Sequence, residues 1–344
     1  MKRKLLVCVA FFLFSTNYLY PQTDEDIEQV KRNLQSDFSM ISSWVNKQLS
    51  PGVPFLTATS LGLPAAVCSS IIPIPGFEIG VSGNICVWTL SLEELKSFDL
   101  HVIDQNVSFN LADIPGYIGL PLFLYHAKVG LIKDIDLGVR YSSVVGTVKY
   151  GSTQLDFSFS NAGVDLRKKV LGGGVAGLVL PDLSVGVGGS VTNGKASLSQ
   201  EYSYAQSDII NGKEYVQRVD GKISLSTEWL QVSALSAEVI LSKGFVFITP
   251  IIGLGYNFYP AGRLNTNINA AGTLQISEKE NPSNTSSAGV AISGGDLVSI
   301  SGAGEGKIIG GLELALAVLR LNLHGEYIFS GKYTLSLGVR LQFR

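Results

Sequence analysis

The chain has 344 residues, enough for one large domain or two ordinary ones, and only 16% of them are charged, against roughly 25% in a typical soluble domain. A mean hydropathy of +0.28 sits beside 38 glycines and many Ser, Thr and Asn. Apolar character is therefore spread thinly, which excludes a bundle of membrane helices, each needing a run of about 20 apolar residues. The formal net charge of −2, with no basic run interleaved with aromatics, no Walker loop and no zinc-type Cys/His spacing, leaves no case for nucleic acid, a metal or a cofactor.

Met1-Lys2-Arg3-Lys4 is a positive n-region, and Leu5 to Phe14 is an apolar core too short to span a bilayer. The pattern predicts a signal peptide over 1–22, cut between Ser15 and Gln22. Cys8 lies inside the apolar core, which argues against a lipidated N-terminus. Once it leaves with the leader, Cys68 and Cys86 remain in an oxidising compartment. They are either a disulfide closing a short loop or two thiols facing lipid or core.

Residues 23–50 predict one amphipathic helix. Ile27, Val30, Leu34, Phe38, Ile41, Val45 and Leu49 recur at spacings of three and four and build one stripe over 24–49. Thr23 or Asp24 can cap its start, acidic residues fill its first turn, and Pro51-Gly52 stops it. The stripe must lie on something apolar, as a periplasmic helix or as one lining or plugging a lumen.

From Phe55 onward the dominant period is two, although 51–115, with its PIPGF and SLEELKSF segments, alternates poorly. Phe123, Tyr125, Ala127, Val129 and Leu131 share one face. Ile135, Leu137, Val139 and Tyr141 oppose Asp134, Asp136, Gly138 and Arg140. The Gly-rich stretch Val170 to Val191 is broken by Pro181 and Asp182 and reads as a turn between strands, and its Gly172-Gly173-Gly174 lacks the Lys-Ser/Thr of a phosphate loop. The polar stretches 203–215 and 263–305 read as long loops, whereas 132–134, 242–244 and 317–318 read as tight turns. Near the end, Leu319, Leu321, Leu323, Gly325 and Tyr327 oppose Arg320, Asn322, His324 and Glu326. Tyr333 to Phe343 then alternates with Lys332 to Gln342. Segments of about 9–11 residues suit strands crossing an outer membrane.

The expected fold is all-β, a single antiparallel transmembrane β-barrel of about 12 strands (10–14) over 51–344, preceded by the helix. Short turns belong in the periplasm and long loops outside, so the last strand descends inward and 263–305 lies outside. No repeat at 20–50 residues suggests a solenoid.

The last residues, Gly338-Val339-Arg340-Leu341-Gln342-Phe343-Arg344, resemble the C-terminal strand of outer-membrane barrels, whose terminal aromatic residue is read by the insertion machinery. The resemblance implies Phe343 as the barrel-assembly signal, with Arg344 after it as a departure from the commonest pattern. LELALAVLRLNLHGEYIF followed by YTLSLGVRLQFR also resembles a family of uncharacterised outer-membrane proteins found in Bacteroidetes-like bacteria, mainly over the C-terminal strands. That likeness implies location and fold and carries over no catalytic residue.

His101, His126 and His324 are the three histidines, and the abundance of Ser and Asn makes any triad on paper worthless, so no enzyme is expected. Asp134, Asp136, Arg140, Arg320, His324, Glu326 and Arg340 are expected to face a lumen. They would form either a charged constriction that selects solutes or a closed interior in which opposite charges pair. The leading expectation is a passive channel or transporter for small solutes, with a variant in which apolar molecules pass an N-terminal plug. The alternative is a non-conducting surface or assembly protein that binds partners through 263–305 or the helix 24–49. Outer-membrane lipid and the insertion machinery are the other expected partners.

Overall fold

The computed structural model describes residues 24–58, 76–91, 116–131, 134–150, 153–172, 180–210, 213–278 and 285–343. The leader and cleavage site expected from the sequence, Thr23, Cys68, His101, most of the SLEELKSF segment and Arg344 lie outside the described residues. Two helices come first, α1 (Asp24–Leu49) and α2 (Gly52–Ala58). The strands are β1 (Phe77–Thr89), β2 (Tyr117–Gly130), β3 (Ile135–Tyr150), β4 (Thr153–Leu171), β5 (Asp182–Ile210), β6 (Lys213–Ser242), β7 (Ile248–Tyr259), β8 (Gly262–Glu278), β9 (Thr285–Ile300), β10 (Ala303–Leu316), β11 (Leu319–Ile328) and β12 (Lys332–Phe343).

All twelve strands belong to one antiparallel sheet, and the pairing of β5 with β6 closes ten of them into a ring. β1 seals against β12, running from Phe77 opposite Phe343 to Val87 opposite Tyr333. The other two strands, β8 and β9, continue β7 and β10 beyond the ring. β6 pairs with β7 over Leu235–Ser242 and with β8 over Tyr215–Leu230, and β8 in turn pairs with β9. The molecule is thus a ten-stave barrel from which a four-stranded wall, β5-β6-β8-β9, rises at one end.

Burial within the ring is inverted relative to a soluble protein. Along β12 the polar positions from Lys332 to Gln342 are buried, while Tyr333, Leu335, Leu337, Val339, Leu341 and Phe343 are exposed. Above the ring the polarity reverses. Ile223, Leu264, Ile268, Ala270 and Ile292 are buried on the inner face of the wall, and Lys222, Arg263, Asn269 and Ser293 are exposed on its outer face. A row of irregularities marks the change. Gln231 adopts φ +51° and β6 slips against β5 between Thr192 and Gly194. Pro260-Ala261 separates β7 from β8, and Ser301-Gly302, with φ +70° at Gly302, separates β9 from β10. Bonds from Ser233 N to Ala261 O (2.8 Å) and Gly302 N to Tyr259 O (3.0 Å) tie the row together. Each irregularity restarts the period-two pattern in the opposite phase, as a bulge does.

The stretches 203–215 and 263–305, expected as loops, are mostly strand: 203–210 and 213–215 lengthen β5 and β6, and 263–278 and 285–300 form β8 and β9. Their outer face meets water and is built from Asn, Ser, Gly and Thr, so it resembles loop composition while the backbone stays paired. α1 ends at Leu49, as Pro51-Gly52 predicts, and a second short helix, α2, follows at once with Pro54 in its first turn, where a missing N–H costs nothing.

α1 packs on the inner face of β8 and β9. Phe38 is fully buried, and Gly294 permits the approach, since a Cβ there would stand 2.6 Å from Phe38 Cβ and 3.0 Å from Gln35 O. Asn46 fastens the helix to the wall, donating to Asp296 O at 2.7 Å and accepting from the Thr266 hydroxyl at 2.6 Å. Asp37, Ser42 and Asn46 are wholly buried, whereas Ile41, Val45 and Leu49 of the stripe are half-buried. The helix therefore sits rotated toward its polar flank, where it gains hydrogen bonds from the wall. The side chains of Ile27, Val30 and Leu34 lie outside the described ones.

Candidate functional site

Two layers fill the ring, a charged one toward the short-turn end and an apolar one at the mouth beneath the wall. In the charged layer, Lys128, Arg140, Arg167, Lys307, Arg320 and Arg340 meet Glu78, Asp136, Asp165, Glu238, Glu313 and Glu326, six of each sign among the described residues. Arg340 binds Glu78 at 2.9 Å and also Glu313, to which Arg320 adds a contact at 3.6 Å. Lys307 lies 2.5 Å from Glu238 and 3.3 Å from Glu326, and Arg167 reaches Glu238 at 3.1 Å. Lys128 stands 3.7 Å from Asp165, His126 stands 3.4 Å from Glu78, and Arg140 lies in the field of Asp165, Glu238 and Glu326. Charges removed from water are tolerable only when paired and hydrogen-bonded. Here the signs balance, so the layer presents no field of one sign to a passing ion.

Of the residues expected in the lumen, Asp136, Arg140, His324, Glu326 and Arg340 are buried on the inner face and Arg320 is partly buried. Asp134 is not among them. It occupies the turn before β3 in a left-handed conformation, φ +61°, and is exposed, because the turn leaves the strand phase one residue before β3 begins. Cys86 is fully buried with the Thr334 hydroxyl 3.8 Å from its Sγ, whereas its candidate partner Cys68 lies outside the described residues. The residues that sequence reasoning missed are chiefly the partners: Glu78, Lys128, Asp165, Arg167, Glu238, Lys307 and Glu313. Their signal was charge at alternate positions of apolar strands, as at Glu238 within ALSAEVILS.

At the mouth every residue of α2 is buried. Val53, Phe55 and Leu56 pack with Trp88, Trp229 and Tyr259 in one apolar cluster. The Trp88 ring lies against Gly52, where any side chain would collide with it. Ser190 Oγ donates to Thr57 O at 2.7 Å, and Trp88 Nε1 to Gln48 O at 3.2 Å. Trp44 Nε1 reaches Ser91 O at 3.1 Å, so α1 spans from the wall to the end of β1. Lys332, at the head of β12, donates to Pro51 O at 3.0 Å and binds Glu305. Two roomy hollows lie outside the lumen. One, of about 510 Å³, is on the apolar flank of the ring between Leu166, Val187, Leu235 and Phe258. The other, of about 600 Å³, is on the outer face of the wall beside Glu201, Asp220 and Lys222. Hydrogen bonds from Ser203 and Arg218 hold the Asp220 carboxyl below its ordinary range.

Residues 112–343 match the Family of unknown function (DUF6588). No curated protein matches the sequence. Among solved structures, the chain is similar to the translocator domain of the autotransporter NalP from Neisseria meningitidis, at 8% identity over 90% of this chain and 99% of that one, with a TM-score of 0.32. It is also similar to the Pseudomonas putida toluene transporter TodX, at 10% identity over 84% and 92%, TM-score 0.25. A Pseudomonas aeruginosa FadL homologue shares 9% identity over 78% and 90%, TM-score 0.26.

Proposed function

We propose, starting from the fact that the chain belongs to the Family of unknown function (DUF6588), that it is an outer-membrane barrel closed at rest, which anchors an outward-facing helix-and-wall module for binding partners. The observation that carries this reading is the lumen's filling. Among the described residues six cations and six carboxylates, most of them ion-paired, fill the ring, and α2 closes the mouth above them. Barrels of about eight strands have interiors that side chains just fill, and ten staves packed with long charged residues remain in that regime.

The membrane assignment rests on the outer surface. From Tyr333 to Phe343 the exposed face of β12 is apolar. That is about 34 Å of strand, or about 25 Å of height at a tilt of roughly 40°. Aromatic residues stand at both ends of the band, Tyr327, Phe329 and Tyr333 at one, and Phe77 stacked on Phe343 with ring centroids 4.6 Å apart at the other. The leader supports export, and the C-terminal end carrying Phe343, with the short turns, belongs in the periplasm, so the wall points outward. The role is non-catalytic: His126 serves as a partner of Glu78.

A second reading is favoured by one observation, that α2 is a discrete seven-residue stopper in the mouth. It makes the protein a conduit for small solutes, opened when the N-terminal segment moves. Single-channel recording in planar bilayers separates the two, using the mature protein and a variant lacking residues 23–58. Heat-modifiable mobility would verify the folded barrel in each. The closed-anchor reading expects silence from both. Steady conductance of the full-length protein overturns it, and conductance only after deletion replaces it with the plugged conduit.

A further inference from the structure

The α1–α2 junction is joined to the ring by a polar cluster whose members come from four separate parts of the chain, around Pro51, Tyr259, Glu305 and Lys332. Lys332 opens β12 immediately after the turn at Gly331, whose φ is +87°. Its ammonium donates to Pro51 O at 3.0 Å, lies 6.0 Å from the centre of the Phe55 ring, and binds Glu305 at the start of β10. Glu305 is held in turn by Ser330 Oγ at 2.8 Å and by the Tyr259 hydroxyl at 3.1 Å. Pro51 sits just past the last turn of α1, where unpaired carbonyls concentrate negative charge and favour a cation. The Lys332 side chain is 5% exposed and that of Glu305 17%, so the pair is shielded yet lies at the rim, within reach of water.

Among the described residues the other ties of α2 are apolar packing and the Ser190 bond to Thr57 O, while the end of α1 is held to β1 at Gln48, which accepts from Trp88 Nε1 and Ser91 N. Apolar contact is non-directional and tolerates sliding, whereas the Lys332 ammonium binds a helix junction and a fixed stave at once. Removing either charge leaves the other shielded and unpaired, which is unfavourable unless the segment above it moves to admit water.

We propose that Lys332 and Glu305 form a latch that fastens the α1–α2 junction to the barrel mouth, and that breaking it lets α2 leave the mouth while the staves stay folded. The latch goes beyond the closed-anchor reading and does not require it, since it concerns how the stopper is held rather than whether solute follows.

The test places a cysteine at the buried Thr57 in the full-length protein, in a background where Cys68 and Cys86 are serine. Modification by a water-soluble maleimide is then timed with the latch intact, with Lys332→Met, with Glu305→Gln and with Lys332→Arg. Modification should be about tenfold or more faster in the first two variants, because local opening sets the rate of access, and close to the parent rate in Lys332→Arg. Heat-modifiable mobility must be retained throughout, and its loss in both latch variants would show that the pair holds the barrel itself together, which overturns the proposal. Equal rates in folded proteins overturn it as well. Recording the same variants in bilayers keeps the two ideas apart. Fast modification without conductance supports both, and fast modification with conductance leaves the latch standing while removing the closed-anchor reading.

Discussion

Lys307 shows what the charged layer costs when one member is lost. Its ammonium is buried between Glu238 and Glu326, and Arg167 shares Glu238 from the other side. Lys307→Met preserves length and removes the cation, so Glu326 loses its closest counter-charge while Glu238 keeps Arg167. Removing one partner of a buried pair is worth about 3–5 kcal/mol. The expected outcome is a barrel destabilised by about that amount in urea unfolding followed by tryptophan fluorescence. Adding Glu326→Gln should restore a large part of the loss, because it removes the stranded carboxylate. A single variant as stable as the parent would mean that water already solvates this layer. These partners could not be paired from the sequence. Glu78 and Arg340 are 262 positions apart, and only the register of β1 against β12 brings them together. Alternating charges of both signs announced an inward face, but not which anion would meet which cation.

At the level of elements, α1 was legible because its apolar spacing is helical, while its true contact face was not. Asn46 is buried because the wall supplies its partners, and the sequence of the helix alone contains no trace of Asp296 or Thr266. β8 and β9 were hidden for a related reason. Their inner faces set Ile268, Ala270 and Ile292 among Thr266 and Gly294, so the apolar alternation that marks a strand is broken. Gly294 is where the two elements touch most closely. Gly294→Val should lift α1 from the wall, as overpacking at a close contact costs about 1–3 kcal/mol. Hydrogen exchange is the measurement to make. Amides of residues 35–46 should lose protection while those of β12 keep theirs, and unchanged protection in α1 would show that the helix is held elsewhere.

For the whole molecule, the closed barrel could be read from the strands that alternate cleanly, because lipid outside and polar groups inside impose a strict period of two. The expected twelve strands are present, but that ten close the ring while two build the wall was not legible, since β7 and β8 form one continuous edge interrupted at Pro260-Ala261, and β9 and β10 likewise at Ser301-Gly302. That interruption also marks where the surroundings change. Below it exposed side chains are apolar, and above it they are those of a water-soluble sheet, so a single boundary plane follows from burial alone. Orientation about that plane is testable with the chain's own lysines. Lys222 is exposed on the wall, and Lys168 is exposed near the opposite end of the ring, opposite Ile135 at the start of β3. An amine reagent that cannot cross the outer membrane should modify Lys222 on intact cells and spare Lys168. It should reach both once the outer membrane is permeabilised. The reverse pattern would turn the barrel over, placing the helix-and-wall module in the periplasm, where its partners would have to be sought among proteins of that compartment.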